Sequence, residues 1–94
     1  MDLPVDIIKH GGQRQSERFM REKLHASIVA ACLSARTPKG QAEDIAQVVC
    51  DAVTDWLQLH PEVTSQDIRL VATKHLKIHH PGAAYLYEQN RITI

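Results

Sequence analysis

Residues 5–28 pass from a strand-like to a helical hydrophobic period within one short span, and that change restricts the fold more than any other feature of the chain. Val5, Ile7 and Ile8 form an apolar run that ends at Lys9, and Gly11-Gly12 then supplies the positive φ that a tight reversal needs. Residues 13–17 are polar and only weakly strand-like, with Phe19 as one large apolar anchor before a helical pattern begins. Met20, Leu24, Ile28 and Cys32 then recur at the spacing of a helix face turned toward a core. The span predicts a β-hairpin that runs directly into a helix. Lys9 leaves the first strand, Glu17 the second, and Lys23 lies in the first helical turn, so two cations and a carboxylate are expected where hairpin meets helix. Such a cluster suits a phosphate.

Downstream, the first helix is expected over 20–35, ending where Thr37-Pro38-Lys39-Gly40 combines proline with glycine. A second helix over 41–59 carries Ile45, Val48, Val49, Ala52, Val53, Trp56 and Leu57 as a wide apolar face, with Glu43 and Asp44 complementing the dipole near its start. His60-Pro61 breaks it. Thr64-Ser65 provides a cap for a third helix, Asp67 completing a weak capping box, and Ile68, Val71, Ala72, His75 and Leu76 face inward. His79-His80-Pro81-Gly82 is a second break, followed by a short helix over 82–90. Residues 91–94 are β-branched and alternating, as in a strand, and a third strand would support a hairpin that is marginal alone.

With 94 residues and 44% apolar content the chain is expected to form one domain, residues 1–94, around one core. Lys and Arg number 11 and Asp and Glu also 11, so no basic field favours DNA, which is an unlikely partner. Cys32 and Cys50 fall on the apolar faces of two predicted helices, as buried thiols in a reducing compartment would. The first residues lack the basic and apolar regions of a secretion signal, and no apolar run is long enough for a membrane span, so a cytoplasmic location is expected.

The order Lys9, a glycine turn, Glu17, Phe19, Glu22-Lys23-Leu24 and Ile28 resembles the opening of the ATP-cone, Val-x-Lys-Arg-x-Gly followed by Glu-x-Phe-(Asp or Asn)-x-x-Lys-(Leu or Ile). Val63-Thr64-Ser65-Gln66-Asp67-Ile68 is similar to that family's loop and third helix start, and Ala83-Ala84-Tyr85 with Tyr87 to its closing Ala-Tyr-x-x-Tyr. ATP-cones are small nucleotide-binding regulatory domains of ribonucleotide reductases and of the zinc-ribbon repressor of their genes. The resemblance implies a mostly α fold with small β, in which an N-terminal β-hairpin and a short C-terminal strand cap a four-helix bundle. His10 replaces the family's arginine, Met20 its Asp or Asn, and the gap between the two lysines is two residues longer than the family's.

A triphosphate needs several cations or backbone donors close together, and Lys9, Lys23, His10, the amides near Gly11-Gly12 and the start of helix one supply them. The resemblance implies the rest of a nucleotide site. Ser65 and Arg69 would border the base, Ile8 and Leu24 would form apolar walls, Arg91 would reach a phosphate, and Glu17 would accept from the adenine amino group or the ribose. The ligand implied is ATP or dATP, with Mg2+ accompanying the nucleotide.

Six histidines raise a metal reading, and His75 with His79 has i, i+4 spacing, but no Glu follows His75 and the cysteines are distant in sequence, so no metal site is expected. Nor is catalysis, since the chain lacks a nucleophile elbow, a Gly-Lys-Ser phosphate loop and an acidic cluster for magnesium. Trp56 reads as core or as an interface with another chain. The expectation is a regulatory adenine-nucleotide module that couples occupancy to homo-oligomerisation or to control of a ribonucleotide reductase or its transcriptional regulator. The alternative, favoured by His10 and Met20, is a degenerate cone without ligand that acts as a protein-interaction or dimerisation module.

Overall fold

The computed structural model describes residues 2–8, 16–60 and 62–90, and the side chains of 19–60 and 62–89. In chain order the elements are β1 (Asp2–Ile8), β2 (Ser16–Met20), α1 (Arg21–Ser34), α2 (Lys39–Gln58), β3 (Glu62–Thr64), α3 (Ser65–His79) and α4 (Pro81–Asn90). The fold is mostly helical with a small sheet.

β1 and β2 pair antiparallel, with Ile8 opposite Ser16, Ile7 opposite Glu17 and Asp2 opposite Met20. The expected turn at Gly11-Gly12 lies outside the described residues. The register shifts between Leu3 and Asp6, the segment that contains Pro4, whose nitrogen has no hydrogen for the ladder. On its other side β1 pairs in parallel with β3, placing Ile8 beside Thr64 and giving the order β2-β1-β3. The third strand thus comes from a stretch that reads as loop in the sequence, because three residues are too few to show a period of two. The strand expected at 91–94 lies outside the described residues.

α1 ends by reversing its last turn. Arg36 adopts φ 65, its amide donates to Leu33 O at 2.9 Å, and the Thr37 amide donates to Cys32 O at 3.0 Å. This is the paired carbonyl capping that usually employs glycine at the left-handed position. Gly40, expected among the breakers, instead sits inside the first turn of α2, behind Pro38 at the cap.

The helices pack α1 on α2, α2 on α3, α3 on α4 and α4 back on α1. Their shared core includes Leu24, Ile28 and Cys32 from α1, Ile45, Val49, Cys50, Val53 and Leu57 from α2, Ile68, Ala72 and Leu76 from α3, and Tyr87 from α4. Phe19 and Val63 bring β2 and β3 into the same cluster. The expected faces need correction at their margins. Val48 is exposed, Ala52 and Trp56 are half-buried, and so are Val71 and His75, because each buried stripe is narrower than the apolar pattern. Ala42 and Ala46 extend the α2 stripe instead, their small side chains fully buried.

Tyr87 is fully buried. The Ser27 hydroxyl donates to Leu24 O at 2.7 Å, which leaves its oxygen to accept from the Tyr87 hydroxyl at 3.1 Å. A polar group in the core is thereby satisfied.

Candidate nucleotide site

Three helix or strand ends define the region in question. Ile8, the last described residue of β1, lies between Ser16 of β2 and Thr64 of β3. Thr64 is also the N-cap of α3, so β1–β3 pairing sets the end of β1 beside the α3 amino end. Ser65 opens α3 and Arg69 follows one turn later, both half-buried. Sequence spacing alone does not bring these segments together; the parallel pairing does.

The α3 start is capped by its own residues. The Asp67 amide donates to Thr64 Oγ1 at 3.1 Å, and the Thr64 amide donates to Asp67 Oδ2 at 3.0 Å. This reciprocal pair uses donors that would otherwise be free and sets a carboxylate against the positive end of the helix dipole. That end therefore suits a base or sugar better than a phosphate. The α1 start differs, since Met20 provides no side-chain cap and Lys23 in its first turn is exposed. A helix start with a lysine in its first turn suits an anion.

Met20 is opposite Asp2 and Ser16 opposite Ile8, so the α1 and α3 starts lie toward opposite ends of β2. At about 3.3 Å per residue the strand separates those ends by roughly 13 Å. Such a span fits an extended ligand rather than a single phosphate, and it modifies the expectation that Lys23 and the Lys9 strand meet at one point. Lys9, His10, Gly11 and Arg91 lie outside the described residues, as do the side chains of Ile8 and Glu17. Leu24 is fully buried in the core shared by the helices.

Arg21 fixes the α1 start onto α2. Its guanidinium donates to Asp51 Oδ1 at 2.7 Å and Thr54 Oγ1 at 3.2 Å, reaching Gln47 O at 3.5 Å. These acceptors lie on successive turns of α2, a contact between distant segments that no local motif in the sequence announces. Arg69 lies close enough to Tyr87 to favour its phenolate, but burial outweighs that effect and raises the Tyr87 pKa. Both cysteines are buried and free. Burial pushes the Cys50 thiol up to about 11 despite the opposing pull of Arg21, and it raises Cys32 as well. Such thiols are poor nucleophiles at neutral pH.

Trp56 stacks on His60, with ring centroids 4.2 Å apart and 16° between planes. His75 is half-buried and His79 exposed, and no group of three or more metal-ligating side chains comes together among the described residues. Among those residues no helix is long and apolar enough to cross a membrane. No protein-family model matches the chain, and neither a curated protein nor a solved structure gives a significant match.

Proposed function

We propose that the chain is a regulatory module that binds ATP or dATP in the cytoplasm and converts occupancy into a change of assembly, of itself or of a ribonucleotide reductase or its regulator. The architecture proposed with it is a hairpin-capped four-helix bundle of the ATP-cone kind. The observation that carries this reading is the β1–β3 pairing, which seats the end of β1 beside the α3 start, where the resemblance puts the base. Lys9 and Lys23 would hold phosphates, Ser65 and Arg69 would border the base, Glu17 would accept a hydrogen bond, and Mg2+ would accompany the nucleotide. His10, Gly11 and Arg91 would complete the phosphate side. No bond is made or broken. Nucleotide acts by differential binding, holding one arrangement of sheet against helices better than another.

Thermal or urea unfolding with and without nucleotide is the test. At 100 times its dissociation constant a ligand adds about 2.7 kcal/mol. A shift with ATP or dATP and none with inorganic phosphate supports the reading, and no shift with either nucleotide removes it. His10 and Met20, which stand where the resemblance has an arginine and an Asp or Asn, favour a second reading. In that reading a ligand-free cone serves as an interaction or dimerisation module, and sedimentation without nucleotide would reveal the self-association.

A further inference from the structure

We propose that the outer face of α2 and α3 is the surface on which two copies of this chain pair, α2 of each copy lying over α3 of the other. Among the described residues six large apolar side chains are exposed, and four of them, Val48 and Leu59 at α2 and Leu70 and Ile78 on α3, belong to this face. Arg21 marks the α1 side of α2 by reaching Gln47, Asp51 and Thr54. Val48, Ala52, Trp56 and Leu59 follow at helical spacing on the opposite flank, toward α3. On α3, Arg69 lies on the side of Tyr87 and α4, while Val71, Lys74 and Ile78 turn the other way, toward α2. The half-buried Trp56 and Val71 pack against the core, and α2 packs on α3, so the two flanks border one seam. This pairing supplies a surface for the self-assembly proposed above, and only its link to nucleotide rests on that reading.

Charge selects both the partner and the arrangement. Asp44 and Asp55 are exposed on α2, and Lys74 and Lys77 on α3, so each helix carries the charge that the other attracts. The hydrogen bond between Thr37 and His80 sets the start of α2 beside the end of α3, which makes the two helices antiparallel. Counted from that shared end, Asp44 lies six positions after the α2 cap, Pro38, and Lys74 six before the α3 cap, His80, so both stand about 9 Å along their helices. Val48 and Leu70 are level in the same way, about 15 Å along. A two-fold axis parallel to the helices therefore places Asp44 of each copy over Lys74 of the other, and Val48 over Leu70. The alternative two-fold, with α2 over α2, sets aspartate against aspartate and lysine against lysine. The face measures roughly 25 by 20 Å, so pairing buries about 1,000 Å² in total, the size of a weak specific interface.

Sedimentation equilibrium of the full chain without nucleotide, from about 10 to about 500 μM, tests this on wild type, D44K and K74D. Both positions are exposed, so the variants are expected to keep the fold, which urea midpoints check. Wild type is expected to form a closed dimer, and each variant alone to dissociate at roughly tenfold higher concentration, since it sets like charges together twice. Mixing D44K with K74D restores the dimer, because both contacts then join opposite charges. A wild type that stays monomeric or grows beyond the dimer, or a mixture no tighter than its separate components, overturns the pairing. If a charge variant does not fold, L70N takes its place: a weakened dimer supports the face and an unchanged one overturns it. The unfolding shift with ATP or dATP is read separately, so the nucleotide reading and this surface fail independently.

Discussion

α3 and α4 both begin with a side chain that accepts from the amide three residues on, Thr64 from Asp67 and His80 from Ala83, and the two diverge in what else that side chain touches. Thr64 is answered within its own turn by Asp67, in a closed exchange at the protein surface. His80 reaches across to Thr37 in another corner. The first start is complete without the rest of the fold; the second exists only when two distant loops have met. Local caps make a helix begin at a given residue, and a cap shared between corners also reports whether the corners are together.

The largest expected effect lies beneath these caps. Ile68, fully buried in the first turn of α3, should cost about 2–5 kcal/mol when replaced by alanine, as Ile→Ala changes in cores do. Urea unfolding measures it, and a loss no greater than that of a cap variant would mean that the box rather than the core holds α3. Next comes α1, whose start, like that of α2, has no side-chain cap. Lys23→Ala, and likewise Lys9→Ala, should weaken ATP or dATP binding by roughly 1.5–3 kcal/mol, the range for hydrogen bonds to charged groups. Calorimetry that finds native affinity in both variants would separate the α1 start from the ligand.

Thr64→Ala sharpens the comparison between caps. It should cost about 1 kcal/mol, read by urea unfolding, and no loss at all would mean that the exchange does not hold the α3 start. Arg36→Gly tests the corner from the other side. Relieving a side chain at φ 65 should stabilise by roughly 0.5–1 kcal/mol, read as a higher urea midpoint at unchanged slope.

At alkaline pH the smallest effect comes from the core. The Cys50 thiol is raised from 9.0 to about 11, so it favours the fold fully below pH 9, and that contribution fades as pH rises toward 11. Tyr87, raised by burial, acts in the same direction. Cys50→Ala should flatten the alkaline limb of the stability profile relative to wild type, and an unchanged limb would assign the decline to Tyr87 and Cys32.

Much of this is legible in the chain because it is local. The Thr64–Asp67 box, the buried spacing of Leu24, Ile28 and Cys32, and the helix breaks at Thr37-Pro38 and His80-Pro81 each follow from residues within a turn or two of one another. Other features escaped for physical reasons. Val48 continues the apolar pattern of α2 but faces outward, since a pattern gives the width of a hydrophobic face and packing selects the part that is covered. β3 is too short for alternation to register. Of the candidate site, the sequence indicates the residue types, while the relative placement of Ile8 and Ser65 arises from a pairing between segments far apart in the chain.

Read alone, the chain determined where helices start and stop and which faces are apolar, because propensity, capping and periodicity act over a few residues at a time. Tertiary structure alone decided that β3 lies parallel to β1, that Arg21 clasps α2, and that His80 meets Thr37. Each of those contacts joins residues more than 25 positions apart. Nothing in either segment specifies the other until the shared core has brought them within hydrogen-bonding distance.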